Sequence, residues 1–85
     1  MTPEERIEKA RLDINAIDAE LICLLNKRMD SVLLIGEAKR ELGQEVYVPA
    51  REQAVKDRLK KDERYEGLVD AIWPEIMAFA RSLQK

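Results

Sequence analysis

"KRMDSVLLIGEAKREL", residues 27–42, closes a long helical pattern whose apolar stripe is interrupted once. Counted in heptads from Ile7, the first seam position falls on Ile7, Ile14, Leu21, Arg28, Ile35 and Leu42. The second falls on Ala10, Ile17, Leu24, Ser31 and Ala38. Nine of these eleven are apolar, and the exceptions, Arg28 and Ser31, lie one turn apart. An arginine in the middle of a face that must be buried needs an explanation.

Working outward, the helix begins at Thr2-Pro3-Glu4-Glu5: a threonine cap, proline at the first helical position and acids in the first turn. No breaker intervenes before Leu42, and Gly43 is a natural terminator. Gly36 inside the pattern costs on the order of 1 kcal/mol against alanine, so a neighbouring backbone or a ligand is expected to approach there. "GQEVYV", residues 43–48, reads as a loop, and Pro49 starts a second helix, "PAREQAVKDRLKK", with Arg51, Val55 and Leu59 on one face. After the turn "DERYEG", a third helix runs from about Leu68 to the end. It carries Val69, Ile72, Ile76, Ala80 and Leu83 on one stripe, with Trp73, Met77 and Gln84 beside it. Pro74 either kinks this helix or starts its regular part. No two-residue alternation occurs, so the expected fold class is all-α: one domain over residues 1–85, with three helices of which the first is very long.

Eighty-five residues lie near the lower end of what assembles its own core. The first helix, at 1.5 Å per residue, would measure roughly 58 Å, against a diameter of roughly 30 Å for a compact chain of this size. Two short helices cannot cover such a seam. An intertwined homodimer with the long helices packed together is the simplest closed solution, and a sharp bend at Gly36 is the competing one.

Composition narrows the chemistry. A hydrophobic content of 46% argues against disorder despite 38% charged residues. A net charge of −2 with no basic block disfavours nucleic acid as a partner. No apolar run approaches the roughly 20 residues of a membrane span, and "MTPEERIEK" does not read as a signal peptide, so the expected location is cytoplasmic, with no membrane partner. The single Cys23 is expected as an inert, partly buried thiol. Histidine is absent, which removes serine–histidine nucleophiles, histidine general bases and most zinc sites. Neither metal nor cofactor is expected. Any chemistry must use Arg, Lys, Glu, Asp and Gln.

The cations have a geometry. Arg28 and Lys39 are 11 residues apart, close to three turns, so both point to nearly one side, with Cα atoms about 16 Å apart along the axis. Long side chains leaning inward would grasp two ends of one small molecule. Arg11 sits about 25 Å from Arg28 on a straight helix and about 42 Å from Lys39, within reach of the same ligand only from an antiparallel second copy. Arg51 and Glu52 occupy the first turn of the second helix, where free N–H groups favour an anion. Plainer readings stand beside these. Arg28 would also serve as a register-fixing arginine paired with a carboxylate across a dimer. Lys39 and Arg11 would also be solvated flanks, Arg51 and Glu52 surface charges, Gln84 a frayed end, and Trp73 and Met77 core.

Taken in order, the segments resemble the all-helical AroQ-type chorismate mutases over essentially the whole chain. "ARLDINAIDAELICLLNKR" is similar to that family's first-helix pattern, "IGEAK" ends on its lysine, "VYVPARE" resembles its loop and Arg-Glu pair, and "IMAFARSLQ" its closing segment with a terminal glutamine. The resemblance implies an intramolecular, Claisen-type rearrangement of chorismate to prephenate, on the route to aromatic amino acids. Such a reaction needs a pocket that compresses a flexible dicarboxylate and stabilises negative charge growing on the breaking ether oxygen. It assigns Arg28, Arg51 and a second copy's Arg11 to the carboxylates, and Lys39 and Gln84 to the ether oxygen. Glu52 would take the ring hydroxyl, while Ile35 and Met77 would form the apolar wall. Partners would be chorismate and a second subunit sharing the sites. Two departures stand out: Val48 replaces an aspartate frequent in the family, and Ala80 a serine. Both remove hydrogen bonds and leave the cationic core, so weaker binding is expected more than lost chemistry. Rival readings are an isochorismate pyruvate lyase on the same scaffold, or a non-catalytic dimerisation module.

Overall fold

The computed structural model describes residues 1–85 and is all-helical, with α1 Pro3–Leu42, α2 Pro49–Lys60 and α3 Leu68–Leu83. By its internal contacts the chain divides into two compact units, Met1–Asp30 and Ser31–Lys85.

The first unit is the opening of α1. Its start is a reciprocal capping box: the Glu5 N–H donates to Thr2 Oγ1 at 3.1 Å, and the Thr2 N–H donates to Glu5 Oε1 at 2.9 Å. These bonds hold the Glu5 carboxyl below its ordinary value of 4.5. Pro3 at the first helical position has no N–H to lose there. A Lys9–Asp13 pair at 2.9 Å adds an exposed i,i+4 contact. The seam itself is open: Ile7, Ile14, Ile17, Leu21 and Leu24 are 49–61% exposed. Cys23 corrects the expectation of partial burial, since its thiol is exposed in this unit and nothing there packs over it.

In the second unit α1 runs through Gly36 without interruption and ends in a Schellman motif. The Gln44 N–H reaches Lys39 O at 2.9 Å, the Gly43 N–H reaches Arg40 O at 3.3 Å, and Gly43 adopts a φ of 69° that suits glycine. The face of α1 that this unit buries is Val32 and Gly36, with Lys39 half-buried beside them. Ile35 and Leu42, on the heptad seam, remain 50% and 70% exposed.

Helix α2 starts on Pro49, with the Val48 carbonyl accepting the N–H groups of Arg51 at 3.0 Å and Glu52 at 3.2 Å. It ends one residue earlier than the pattern suggested, with Lys61 as its cap. Val55 is buried and Leu59 half-buried, but Arg51 faces solvent, and Glu52 takes its place on the inner face. Helix α3 starts at Gly67 with a φ of 87° and no cap from its own side chain. Glu63 substitutes: its Oε2 accepts the Val69 N–H at 2.9 Å.

The expected stripe of α3 turns inward at Val69 and Ala80, with Ile76 and Leu83 half-buried, but the buried face extends onto the neighbouring stripe. Val69, Met77, Ala80 and Gln84 are buried and Trp73 half-buried, whereas Ile72 stays 44% exposed. The helix is apolar on two adjoining stripes, and periodicity alone does not say which one faces the core. Pro74 lies inside the helix and does not begin it. Helices α2 and α3 pack together, with Lys60 bonded to Asp70 at 2.9 Å and Lys56 near the same carboxylate at 3.9 Å. No helix is long and apolar enough to cross a membrane.

The depressed Glu5 carboxyl fixes the sign of a pH effect. A group whose folded value lies below its unfolded one contributes fully above about pH 4.5, and that contribution is lost as the pH falls through the folded value. Amide protection across residues 4–7, measured against the intrinsic exchange rate at each pH, should therefore fall on acidification below that range, and Glu5→Gln should flatten the change. Exchange that is indifferent to Glu5→Gln would refute the reciprocal cap.

Candidate functional site

A contact between Gly36 and Gln84 organises the second unit. A Cβ placed on Gly36 would fall 2.9 Å from Gln84 Cγ and 3.2 Å from Gln84 Cα. The close approach anticipated at this glycine is therefore made by the residue that ends α3. Gln84 is not frayed; it is 8% exposed, with its Nε2 donating to Ala80 O at 3.4 Å and its Oε1 buried without a partner. Arg40 Nη1 makes a long 3.5 Å contact with the Gln84 carbonyl.

Lys39 is half-buried, and its Nζ donates to Val46 O at 3.0 Å, which ties the ammonium to the loop between α1 and α2. An ammonium has three donors, so two remain for a ligand. Arg51 stands exposed at the start of α2 and Ile35 is half-exposed.

Glu52 is already engaged. Arg81 Nη1 lies 2.6 Å from both of its carboxylate oxygens, with the two side chains 31% and 22% exposed. The same guanidinium lies over Tyr47, its Cζ 4.7 Å from the ring centroid. The hydrogen bonds to Glu52 raise the already high pKa of Arg81, with partial burial acting against them. Glu52, Met77 and Arg81, together with Tyr47, Pro49 and Pro74, line a cleft of about 310 Å³. Lys39, Arg51, Ile35 and Gln84 are not among the residues lining it.

Sequence reasoning missed Arg81. A basic residue in the last turn of a helix reads as a complement to its dipole. The signal that would have found it is the apolar stripe that includes Met77 and Ala80, because Arg81 follows on its edge.

In the first unit Arg11 is exposed and Arg28 is half-buried. Arg28 Nη1 is fully enclosed and has no hydrogen-bond partner. Across the chain only Arg28 Nη1 and Gln84 Oε1 are buried side-chain polar atoms without a partner. Both belong to residues that the sequence pattern had singled out. A buried, unpaired guanidinium nitrogen is costly, and an anion is its natural complement. Arg28 makes no ion pair within its own chain; the register-fixing reading places its carboxylate on a second copy. No cluster of His, Cys, Asp and Glu is arranged to hold a metal ion.

Residues 10–85 match the family model described as chorismate mutase type II. A bifunctional chorismate mutase/prephenate dehydratase of Aquifex aeolicus is 31% identical over 88 residues, covering 95% of this chain and 24% of that relative. The T-protein of Haemophilus influenzae is 31% identical over 78 residues, covering 91% of this chain and 21% of that relative. The chain thus spans about a quarter of the length of these curated relatives or less.

Replacing Gly36 by alanine tests the central contact. Overpacking costs typically 1–3 kcal/mol, and the better helix propensity of alanine returns about 1. The expected net is a modest loss of stability in urea, with the Gln84 and Lys85 amide resonances displaced. A variant that is more stable, with those resonances unmoved, would contradict the contact.

Proposed function

Because this chain belongs to the chorismate mutase type II family, we propose that it rearranges chorismate to prephenate within a homodimer whose two copies share each site. One ether C–O bond breaks as one C–C bond forms in the same molecule, so no nucleophile, metal or proton carrier takes part. What the protein must supply is confinement of a dianion in a compressed shape and donors aimed at the ether oxygen.

The single observation that carries the reading is the guanidinium nitrogen Arg28 Nη1, enclosed without an acceptor. A dicarboxylate would give the guanidinium its missing acceptor. Arg51, exposed at the start of α2, and Arg11 from the second copy would hold the rest of the substrate's charge. Lys39, with donors to spare beyond Val46, and Gln84, through its amide N–H, would stabilise the developing oxyanion. Glu52 would accept from the ring hydroxyl, and Met77 and Ile35 would form the apolar wall.

Support for the second copy comes from the open seam: Ile7, Ile14, Ile17, Leu21 and Leu24 form an exposed apolar stripe that water does not favour. A second copy packed on this stripe would bring its exposed Arg11 to the site.

Substituting Lys39 by alanine should lower kcat for chorismate by about 100-fold or more, as removal of one oxyanion donor typically does, with molar mass in solution unchanged at that of a dimer. Wild-type protein that releases pyruvate from isochorismate in preference to converting chorismate would overturn the mutase reading. So would a wild type without turnover whose Lys39→Ala variant changes only dimer stability. With glutamine at position 84 and no histidine in the chain, the donors need no protonation change near neutrality. The rate should be nearly flat from pH 6 to 8, and a steep fall across that interval would contradict these roles.

A further inference from the structure

We infer that Arg81 is a positioning residue: it fixes the Glu52 carboxylate, and through it the preference for a substrate that carries a ring hydroxyl. The inference rests on the mutase reading of this site. Its ground is the geometry of one guanidinium nitrogen set 2.6 Å from both Glu52 oxygens, with the same group over the Tyr47 ring.

A glutamate at the start of a helix has several rotamers, and holding one costs conformational entropy. Arg81 meets that cost before any ligand arrives. Its guanidinium is confined by the loop at Tyr47, by α2 at Glu52 and by its own place in α3. Each carboxylate oxygen has two lone pairs, so a chelated Glu52 keeps acceptor capacity for a hydroxyl. Its neighbour Val48 offers no side-chain acceptor, and the Val48 carbonyl already receives two N–H groups. Among the carboxylates, Glu52 is the one that lines the cleft, and a carboxylate free to rotate would discriminate poorly. Arg81 does not line up with the ether chemistry of Lys39 and Gln84, so its loss should appear in binding and specificity more than in the rate of the bound substrate.

The test is a double-mutant cycle of Arg81→Met and Glu52→Gln, read on chorismate turnover. It is read again on Kd for two non-reactive dicarboxylate analogues, one with the ring hydroxyl and one without. Arg81→Met should raise KM about 10-fold with kcat within about threefold, and cut the hydroxyl-to-deoxy affinity ratio by a similar factor. In the Glu52→Gln background the same substitution should do almost nothing. Arg81→Lys, which keeps the charge but loses the flat guanidinium that lies over Tyr47, should recover only part of the ratio. Equal losses in both backgrounds, or an unchanged ratio in a folded Arg81→Met protein, would overturn the inference. A wild type that binds the analogues without converting chorismate would overturn the mutase reading alone, because the cycle on Kd still decides the role of Arg81. A wild type that does neither overturns both.

Discussion

The missing side chain at Gly36 is the constraint on which the candidate site depends. Only at a residue without a Cβ does the end of α3 come to rest on α1 at this distance, and the residue placed there is Gln84. Helix propensity argues against glycine in the middle of a forty-residue helix. The compensation is local: an amide that would otherwise lie in a fraying end is buried, with one oxygen still unpaired. From that placement follow the half-buried neighbourhood of Lys39 and the anchoring of the closing segment on which Arg81 sits.

Much of the fold was legible because its signals are local. Proline at the first position of α1 and α2, the Thr2 cap and the Gly43 terminator each act within one turn, so three helices and nearly all their limits follow from short segments. What the pattern did not settle is which face turns inward. Helix α3 has two neighbouring apolar stripes, and the core took Trp73 and Met77 while Ile72 stayed in water. In α2 the expected inner Arg51 gave way to Glu52 for a comparable reason: a helix start offers several faces, and the choice is made by a partner distant in sequence, here Arg81.

The candidate site was legible in its residue types and less so in their partners. Arg28 was marked by breaking a seam, and its enclosed, unpaired nitrogen accords with a group awaiting an anion. Lys39 was marked by its spacing from Arg28 and Glu52 by its place in the first turn of α2, and neither stands free: a backbone carbonyl takes the first and a guanidinium the second. Those contacts link residues 7 and 29 positions apart, spans at which sequence periodicity carries no information. Cys23 shows the converse limit, since its exposure depends on what covers a helix face.

The bond from Lys39 to the Val46 carbonyl has a consequence for how an occupied state would be felt elsewhere. Whatever draws that ammonium away unfastens the stretch between α1 and α2, which also carries Tyr47 and leads directly into the start of α2. The stretch then acts as an indicator needle: its freedom reports what the lysine is holding.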